Sequence, residues 1–444
     1  MALLRSRLCV LFFVVFLPRL HSLGGFSPSR TLSHSFPLTT RHVPRSPAEG
    51  RDRLFATQTT SGQPPKIAAK YSMVLVVSLP VGTPAQAQNL LLDTGSQLSW
   101  VPCGSQIKPS QAGSSQPSAS MASFNPTVST SFSPLSCKDP MCKPPVPDFS
   151  IPTVCDQKQL CQYSYFYADG TLAEGNLVKE KVAVSTPVTT SPIVLGCSGG
   201  SKDDNGILGM NMGRLSFVSQ SRIKKFSYCV PAHTSRTSPS PTGAFYIGDN
   251  PYTAGIKYVN FIKYSELQRM PNLDPHAYTV PMKGIRIGRF TLNISESAFR
   301  PDDGGSGQTF IDSGSELTYL VDEAYDKVRE TVVRLAGRYM KKDFSYSGVA
   351  DMCFDVGVAP LAAQRLGGVR LGFDRGVEIA ISQEFVLADV GDGVKCLPFG
   401  RGSMIGSTAN IIGNVQQQNL WVEYDLAGGR IGFGKADCSK SYTA

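Results

Sequence analysis

The chain has 444 residues, of which 41% are hydrophobic and only 17% are charged, and it contains 42 glycines and 31 prolines. A low charged fraction with many turn residues favours a β-rich protein over a helical one. The formal net charge of +9 is scattered along the chain, which argues against nucleic acid as a partner because nucleic-acid-binding proteins cluster their basic residues.

The first 24 residues have the pattern of a secretory signal peptide. Arg5 and Arg7 precede the unbroken apolar run LCVLFFVVFL at 8–17, and small or polar residues follow it. A run of this length is too short to span a bilayer, so we expect no stable membrane insertion. The sequence predicts a protein of the secretory pathway, located in the endomembrane lumen, in the cell wall or outside the cell.

Residues 25–70 differ from the rest of the chain in composition. They are rich in Ser, Thr, Pro and Arg and show no apolar periodicity. We interpret this stretch as a disordered leader or a pro-segment, with the mature N-terminus between Gly24 and Tyr71. Arg- and Ser-rich, acid-poor stretches also occur in organellar transit peptides, so a chloroplast location is the alternative. Transit peptides do not begin with such an apolar run, which favours the secretory interpretation.

From Tyr71 onward, short apolar runs are separated by Gly, Pro, Asn and Asp. Their spacing predicts an all-β fold. One helix interrupts them, because apolar residues within DEAYDKVRETVVRLAGRYMKK at 322–342 recur at helical spacing. We expect one face of this helix to carry Tyr325, Val328, Val332, Leu335 and Tyr339.

A Ser- and Pro-rich segment at 233–242 lies near the middle of the predicted mature chain. Such segments commonly connect domains. The sequence therefore predicts an N-terminal lobe at 71–240 and a C-terminal lobe at 241–444.

The cysteines predict a disulfide framework. Of the 11 cysteines, Cys9 lies inside the predicted signal peptide, which leaves an even number in the exported chain. A zinc site is the alternative, but no two cysteines have CxxC spacing and only His233 and His276 lie beyond the leader. We therefore expect disulfides, no metal and no cofactor.

One short motif occurs twice. LLDTGS at 91–96 is repeated as FIDSGS at 310–315, and each copy is followed later by an apolar-apolar-Gly segment, at 207–209 and 411–413. Each copy alone is compatible with an ordinary turn, since Asp and Gly are turn residues. A turn does not explain the duplication, which predicts two similar lobes.

The repeated residues suit the hydrolysis of a peptide bond. Two adjacent carboxyl groups cannot both ionise easily, so Asp93 and Asp312 are expected to share one proton. One carboxylate then takes a proton from water while the other carboxyl gives a proton to the carbonyl oxygen. Supporting roles fall to small residues that leave room and to hydroxyls that donate to the carboxylates, namely Gly95, Ser96, Gly314 and Ser315.

These motifs resemble those of the pepsin-type aspartic proteases, and the resemblance extends over residues 71–438. It implies a bilobal double β-barrel with a few short helices, an active site between the lobes, polypeptide substrates and a monomer. It also implies that Asp93 and Asp312 are catalytic, and that the hydroxyls of Thr94 and Ser313 join the two active-site loops.

The same resemblance implies a flap over the substrate. Tyr167 in the segment YFYADGT matches the flap tyrosine, Trp100 matches its hydrogen-bond partner, and Gly170 belongs to the same flap. Ala168 replaces the glycine that usually follows the tyrosine, and Ser315 stands where threonine is common.

Four segments resemble the plant nepenthesin-like branch, in particular its promotion-of-cell-survival group: LGMNMGRLSFVSQ, FSYC, AYTVPMKGI and QQQNLWVEYDL. The cysteine-rich insertion typical of nepenthesins is reduced here to Cys103 and a Ser-rich loop. The resemblance implies five disulfides, Cys137–Cys161, Cys142–Cys155, Cys103–Cys197, Cys229–Cys438 and Cys353–Cys396.

Two further expectations complete the sequence analysis. Relatives with this fold include proteins that bind polysaccharide hydrolases and have lost catalytic residues, so a binding or inhibitor protein is the alternative function. Because both aspartates, their hydroxyl partners and the flap tyrosine are present, the sequence favours an active endopeptidase. Asn293 begins an Asn-Ile-Ser sequon and is a candidate glycosylation site.

Overall fold

The computed structural model describes residues 33–44, 66–68, 71–104, 123–143, 151–167, 172–184, 189–199, 205–232, 241–265, 270–440 and 442. The predicted signal peptide at 1–24, the flap residue Gly170 and residues 233–240 of the expected inter-lobe segment lie outside this set. Within the described residues, no helix is long and apolar enough to cross a membrane.

β-strands make up most of the regular structure. In the first half of the chain they are β1 (His34–Pro44), β2 (Lys66–Ala68), β3 (Tyr71–Val81), β4 (Gln86–Asp93), β5 (Trp100–Pro102), β6 (Ser133–Pro134), β7 (Thr153–Cys155), β8 (Cys161–Phe166), β9 (Leu172–Glu180), β10 (Ile193–Ser198), β11 (Gly206–Gly209), β12 (Lys225–Cys229) and β13 (Gly243–Ile247).

The second half continues in the same manner. Its strands are β14 (Lys257–Asn260), β15 (Met282–Ile287), β16 (Phe290–Thr291), β17 (Thr309–Ile311), β18 (Thr318–Leu320), β19 (Phe344–Tyr346), β20 (Cys353–Asp355), β21 (Val369–Phe373), β22 (Glu378–Ile381), β23 (Ala388–Gly391), β24 (Val394–Cys396), β25 (Phe399–Arg401), β26 (Asn410–Ile412), β27 (Leu420–Asp425) and β28 (Arg430–Lys435).

The α-helices within the described residues are α1 (Phe217–Gln220), α2 (Asp322–Ala336) and α3 (Ala359–Leu366). Helix α2 is the predicted helix, and it buries Tyr325, Val328 and Val332 as its spacing implies. It ends at Ala336, so Tyr339 lies in the 3₁₀ turn that follows. A mostly stranded chain with few short helices confirms the predicted all-β class.

The largest sheet combines strands from both halves of the chain. Its strand order is β14-β28-β27-β12-β13-β1-β3-β4-β11-β5-β10-β9-β8-β7, with β6 beside β9. Strands β27 and β28, which are the last two of the chain, pair with β12 and β14. The two halves therefore share one continuous set of backbone hydrogen bonds, which limits their relative motion.

The sequence repeat corresponds to a repeat of topology. In the first copy, β4 pairs in parallel with β11, and β11 meets β5 in antiparallel fashion at Ile207 and Trp100. In the second copy, β17 pairs in parallel with β26, and β26 meets β18 in the same way at Ile411 and Tyr319. Each apolar-apolar-Gly segment thus lies beside the strand that leads to an aspartate.

Strand β1 corrects the expectation of a disordered leader. Residues 34–44 form a central strand that pairs with β3 on one side and β13 on the other. Leu38 and Thr40 are buried while Pro37 and Arg41 are exposed, which is the alternation of a strand with one buried face. This alternation covers only a few residues among Ser, Pro and Arg, so it is a weak signal in the sequence. The strand forms by pairing with β3 and β13, which are distant in the chain.

The disulfides agree with three of the five expected pairs and correct two. Cys103–Cys197, Cys229–Cys438 and Cys353–Cys396 are present. The remaining four cysteines pair as Cys137–Cys155 and Cys142–Cys161 instead of Cys137–Cys161 and Cys142–Cys155.

The corrected pairing follows from depth in the fold. Cys155 and Cys161 face each other across the β7–β8 hairpin, so all four cysteines belong to one cluster. Cys142 and Cys161 have no exposed surface and bond to each other, while Cys137 and Cys155 lie closer to solvent and form the second bond. Spacing along the chain does not reveal which cysteines are the deeper ones.

Candidate active site

The first aspartate lies at the end of β4, where the chain turns sharply. Asp93 is buried, with 8% of its surface exposed. Its Oδ1 accepts hydrogen bonds from the backbone N–H of Gly95 (2.8 Å) and of Ser96 (3.1 Å), and its Oδ2 accepts one from the Ser96 hydroxyl (2.7 Å). These donors hold the carboxylate in one orientation, as the sequence predicted for Ser96.

The second aspartate has matching partners. Asp312 follows β17 and is equally buried. Its Oδ1 accepts from the Gly314 N–H (2.9 Å) and its Oδ2 from the Ser315 hydroxyl (2.6 Å). Threonine is common at this position in the pepsin-type family. Ser315 also supplies a hydroxyl that donates to the aspartate.

Each glycine of the repeated motif lies against the aspartate of the other copy. A Cβ on Gly95 would come within 2.8 Å of Asp312 Cγ, and a Cβ on Gly314 within 2.6 Å of Asp93 Cγ. These separations are shorter than carbon–carbon contacts allow, so only glycine fits. The same geometry shows that the two carboxyl groups face each other at close range.

Two hydroxyl residues join the two loops. The backbone N–H of Thr94 donates to Ser313 Oγ (3.0 Å), and the N–H of Ser313 donates to Thr94 Oγ1 (2.9 Å). The Ser313 hydroxyl also donates to the Leu92 carbonyl (2.7 Å), and the Thr94 hydroxyl to the Ile311 carbonyl (3.4 Å). This reciprocal pattern fixes the separation of the aspartates, because each loop is bonded to the strand that carries the other.

The environment of the pair favours a bound proton. Burial and, after it, the neighbouring charge of Asp312 raise the pKa of Asp93 to about 7, against the lowering effect of the Ser96 and Gly95 donors. Burial also raises the pKa of Asp312, against the lowering effect of its bonds from Ser315 and Gly314. Two buried carboxyl groups in contact hold a proton that an exposed aspartate would have lost.

The predicted flap tyrosine contacts Trp100 on β5, the strand that follows the Asp93 loop. Tyr167 follows β8, and its hydroxyl accepts a hydrogen bond of 2.8 Å from Trp100 Nε1. Its ring lies 4.7 Å from that of Tyr165. Burial raises the pKa of Tyr167, with smaller contributions from the neighbouring Tyr165 and from the negative charge of Asp93.

Three buried amides near the dyad were not assigned a role from the sequence. They donate to backbone carbonyls of the two active-site loops: Asn211 to Gly95 (3.4 Å), Asn414 to Ser313 (3.0 Å) and Gln417 to Asp312 (3.2 Å). All three lie a few residues after the apolar-apolar-Gly segments. That position was the available signal, although it does not show where the amides point.

Comparison with known proteins shows the family to which this sequence is similar. Residues 75–249 match the family model described as Xylanase inhibitor N-terminal, and residues 277–435 match Xylanase inhibitor C-terminal. The aspartic proteinase PCS1 of Arabidopsis thaliana is 35% identical over 399 residues, which cover 85% of this chain and 84% of that protein. The chain belongs to the plant nepenthesin-like aspartic proteases.

One further relative and one solved structure are also similar to this chain. Aspartic proteinase nepenthesin-1 of Nepenthes gracilis is 32% identical over 373 residues, covering 82% of this chain and 78% of the relative. Among solved structures, the crystal structure of edgp matches with a TM-score of 0.62 at 19% identity, over 92% of this chain and 96% of that one. This structural match supports the fold.

Proposed function

We propose that this family member is an active aspartic endopeptidase that hydrolyses peptide bonds with a water molecule activated between Asp93 and Asp312. The observation that carries the proposal is the facing pair of buried carboxyl groups, each with its own hydroxyl and N–H donors. Polypeptides are the proposed substrates, and the proposed working form is a monomer.

The chemistry requires one proton shared by the pair. With one carboxyl ionised and the other protonated, the ionised group accepts a proton from water as the water oxygen attacks the peptide carbonyl. The protonated group donates its proton to the carbonyl oxygen, which gives a tetrahedral intermediate. The carboxyl that took the proton from water then gives it to the nitrogen as the C–N bond breaks, and the other carboxylate takes a proton back from a hydroxyl of the intermediate as the carboxylic acid product forms. The rigid loops around Asp93 and Asp312 keep the two groups in the required geometry without reorganisation during the reaction.

A binding protein with the same fold is the second candidate function. The family models that match this chain are described as xylanase inhibitors, so family membership alone does not establish catalysis. The presence of every expected active-site residue favours the enzyme, because a binding surface does not require a pair of facing carboxyl groups. These residues are Asp93, Asp312, Thr94, Ser313 and Tyr167.

Digestion of a denatured protein mixture at several pH values, with the cleaved bonds identified by mass spectrometry, separates the two functions. We expect cleavage in acid that pepstatin inhibits and that chelators leave unchanged, since pepstatin places a hydroxyl between the carboxyls. Asp93→Asn and Asp312→Asn should each lower the rate by about 100-fold or more. Asp303→Asn is the matched control, because Asp303 is an exposed carboxylate nearby in the sequence.

Two outcomes would contradict the proposal. One is a wild-type protein that binds its partners but cleaves nothing at any pH. The other is an Asp312→Asn variant that cleaves as fast as wild type. Circular dichroism of the variants distinguishes a lost proton donor from a lost fold.

We propose that the protein reaches the secretory pathway, with the chloroplast as the alternative destination. Asn293 is exposed, so its sequon is accessible to glycosylation. N-terminal sequencing of the native protein should find a start between Gly24 and Tyr71, and an intact Met1 would contradict export by a cleaved signal. A glycosidase-sensitive mass at Asn293 would favour the secretory route over the chloroplast.

A further inference from the structure

Three buried polar side chains lie beneath the active-site loops. Tyr228 belongs to β12, Tyr424 to the neighbouring strand β27, and Gln417 to the turn after β26. All three have no exposed surface. They connect the sheet that is shared by both halves of the chain to the loop that carries Asp312.

The hydrogen bonds that link Tyr424, Tyr228 and Gln417 have a definite direction. Gln417 Nε2 donates to the carbonyl oxygens of Asp312 (3.2 Å) and Ile412 (2.9 Å), while Gln417 Oε1 accepts from the Tyr228 hydroxyl. An amide oxygen only accepts, so the Tyr228 hydrogen is committed to Gln417. In the 3.1 Å contact between the two tyrosine hydroxyls, Tyr424 is therefore the donor.

The chain also reaches the first active-site loop. The Tyr424 hydroxyl also lies 3.5 Å from Thr94 Oγ1. This is a packing contact, because the Tyr424 hydrogen is donated to Tyr228 and the Thr94 hydrogen to the Ile311 carbonyl. Burial raises the pKa of both Tyr228 and Tyr424, so both hydroxyls keep their protons wherever an acid protease works. The three residues thus contact the backbone of the Asp312 loop and the Thr94 side chain of the other loop. Both tyrosines stay protonated while they do so.

Packing alone does not account for these hydroxyls. Burying a polar group in an apolar core costs free energy unless it is hydrogen-bonded, and phenylalanine avoids that cost. Phe226 lies two residues before Tyr228 on β12 and stacks on Tyr424 with ring centroids 4.4 Å apart, which shows that an unsubstituted ring fits this core. The hydroxyls therefore have a role in hydrogen bonding that a phenylalanine at 228 or 424 would lose.

We propose that Gln417, Tyr228 and Tyr424 are positioning residues that fix the main chain of Asp312 relative to Asp93 and so set the geometry in which the dyad shares its proton. The inference rests on the proposed endopeptidase function. These residues are fully buried and act through the carbonyl of Asp312, to which Gln417 donates, while Tyr424 packs against Thr94 Oγ1.

Removing one hydroxyl from the chain tests this role. Tyr228→Phe keeps the ring but leaves Gln417 Oε1 without its hydrogen-bond donor. Tyr424→Phe removes the hydroxyl that donates to Tyr228. We expect each variant to lower kcat by about 10-fold to 100-fold, the usual effect of misplacing a reacting group. KM should change by less than about twofold, because the substrate-binding surface is untouched.

A pH profile separates positioning from stability. A changed distance between the carboxyl groups changes their interaction and therefore the apparent pKa values of the dyad. We expect both limbs of the pH–rate profile to shift in Tyr228→Phe. Tyr246→Phe is the matched control: Tyr246 is a buried tyrosine on the adjacent strand β13 whose hydroxyl donates to the Tyr442 carbonyl, and its loss should leave kcat and the profile unchanged.

A folded Tyr228→Phe protein with wild-type kcat and an unchanged profile would overturn the inference, even if its melting temperature fell. Titration of the aspartate carboxyls by ¹³C NMR provides a readout that needs no turnover. If wild type cleaves nothing but Tyr228→Phe shifts this titration, the proposed function fails and the positioning role stands. If wild type cleaves and neither titration nor kcat responds to Tyr228→Phe, the positioning role fails alone.

Discussion

At the scale of single residues, the dyad combines two opposing effects. Burial raises the pKa of both aspartates, and the charge of Asp312 further raises that of Asp93, while hydroxyl and N–H donors stabilise the ionised forms. Full ionisation would place two charges in contact, and full protonation would remove the base. The balance gives a pair with one proton and one charge, which is the state that general acid–base hydrolysis requires.

The raised pKa values predict opposite effects of one mutation on activity and stability. Because the pKa of Asp93 rises from 3.8 to about 7, proteolysis should fall as pH rises through about 7, where the shared proton is lost. The folded state binds this proton more tightly than the unfolded state, so its stabilising contribution is complete below pH 3.8 and is lost between pH 3.8 and about 7.

Thermal unfolding of wild type and Asp93→Asn across that range provides the measurement. The asparagine variant carries no charge at position 93, so its melting temperature should rise relative to wild type as pH increases from about 4 to about 7. Asp303→Asn, which removes an exposed carboxylate, serves as the control. A melting-temperature difference that stays constant with pH would show that Asp93 has an ordinary pKa.

At the scale of secondary-structure elements, the segment predicted to form the flap, β8 with the following Tyr167, has two different faces. Tyr163, Tyr165 and Tyr167 alternate along β8 and its end toward the protein, while Phe166 points outward with 62% of its surface exposed. The inner face carries the hydrogen bond from Trp100 to Tyr167. This face is the one suited to cover a substrate.

If the proposed function holds, Tyr167→Ala should lower kcat/KM by about 10-fold to 100-fold without abolishing cleavage, because the role proposed for Tyr167 is to position the substrate and not to transfer a proton. Phe166→Ala is the matched control from the outer face and should stay close to wild type. Steady-state kinetics on one peptide substrate measure both. Equal losses in the two variants would mean that Tyr167 has no specific role.

Strand β1 is the element that the sequence analysis misjudged. It lies between β3 and β13, so it supplies backbone partners to two strands that would otherwise be edges. Leu38 contributes a fully buried side chain to the main core. The strand is thus part of the folded structure of any form of the protein that retains residues 34–44.

Leu38→Ala in such a form should destabilise the fold by about 2–5 kcal/mol, the usual range for removing a buried leucine side chain. Arg41→Ala on the exposed side of the same strand should have little effect. Urea denaturation followed by tryptophan fluorescence measures both. An unchanged midpoint for Leu38→Ala would show that β1 does not contribute to the core.

At the scale of the whole molecule, one disulfide joins β12 to the C-terminal end of the chain. Cys229 and Cys438 are separated by 209 residues and are fully buried, whereas Cys353 and Cys396 are separated by 43 residues within one small sheet. A cross-link that closes a longer loop restricts the unfolded chain more. The long-range bond therefore contributes more to stability than the local one.

Replacing both cysteines of a pair by alanine tests this difference. Loss of Cys229–Cys438 should cost about 2–5 kcal/mol, and it should cost about 1 kcal/mol more than loss of Cys353–Cys396 because of loop length. Denaturation midpoints of the two double variants provide the comparison. A larger loss for the Cys353–Cys396 variant would show that local packing outweighs chain entropy here.

The sequence alone determined the fold class and the main features of the candidate site. The motif around Asp93 recurs around Asp312 with the same flanking residue types, and the hydrogen-bond partners of both aspartates come from their own motifs. Such features are local: an Asp-Thr/Ser-Gly-Ser segment after an apolar strand carries its hydroxyl and N–H donors with it. The spacing of α2 is local in the same sense.

Only the tertiary structure decided the features that depend on distant partners. The sheet position of β1, the pairing of Cys137 with Cys155 and the contact of Gln417 with Asp312 all join segments that are far apart in the chain or equivalent by spacing. A short strand is stabilised by neighbouring strands, and the intrinsic β-propensity of its residues does not predict which strands those are. A buried amide is likewise recognised as a positioning group only once the fold shows which carbonyl it faces.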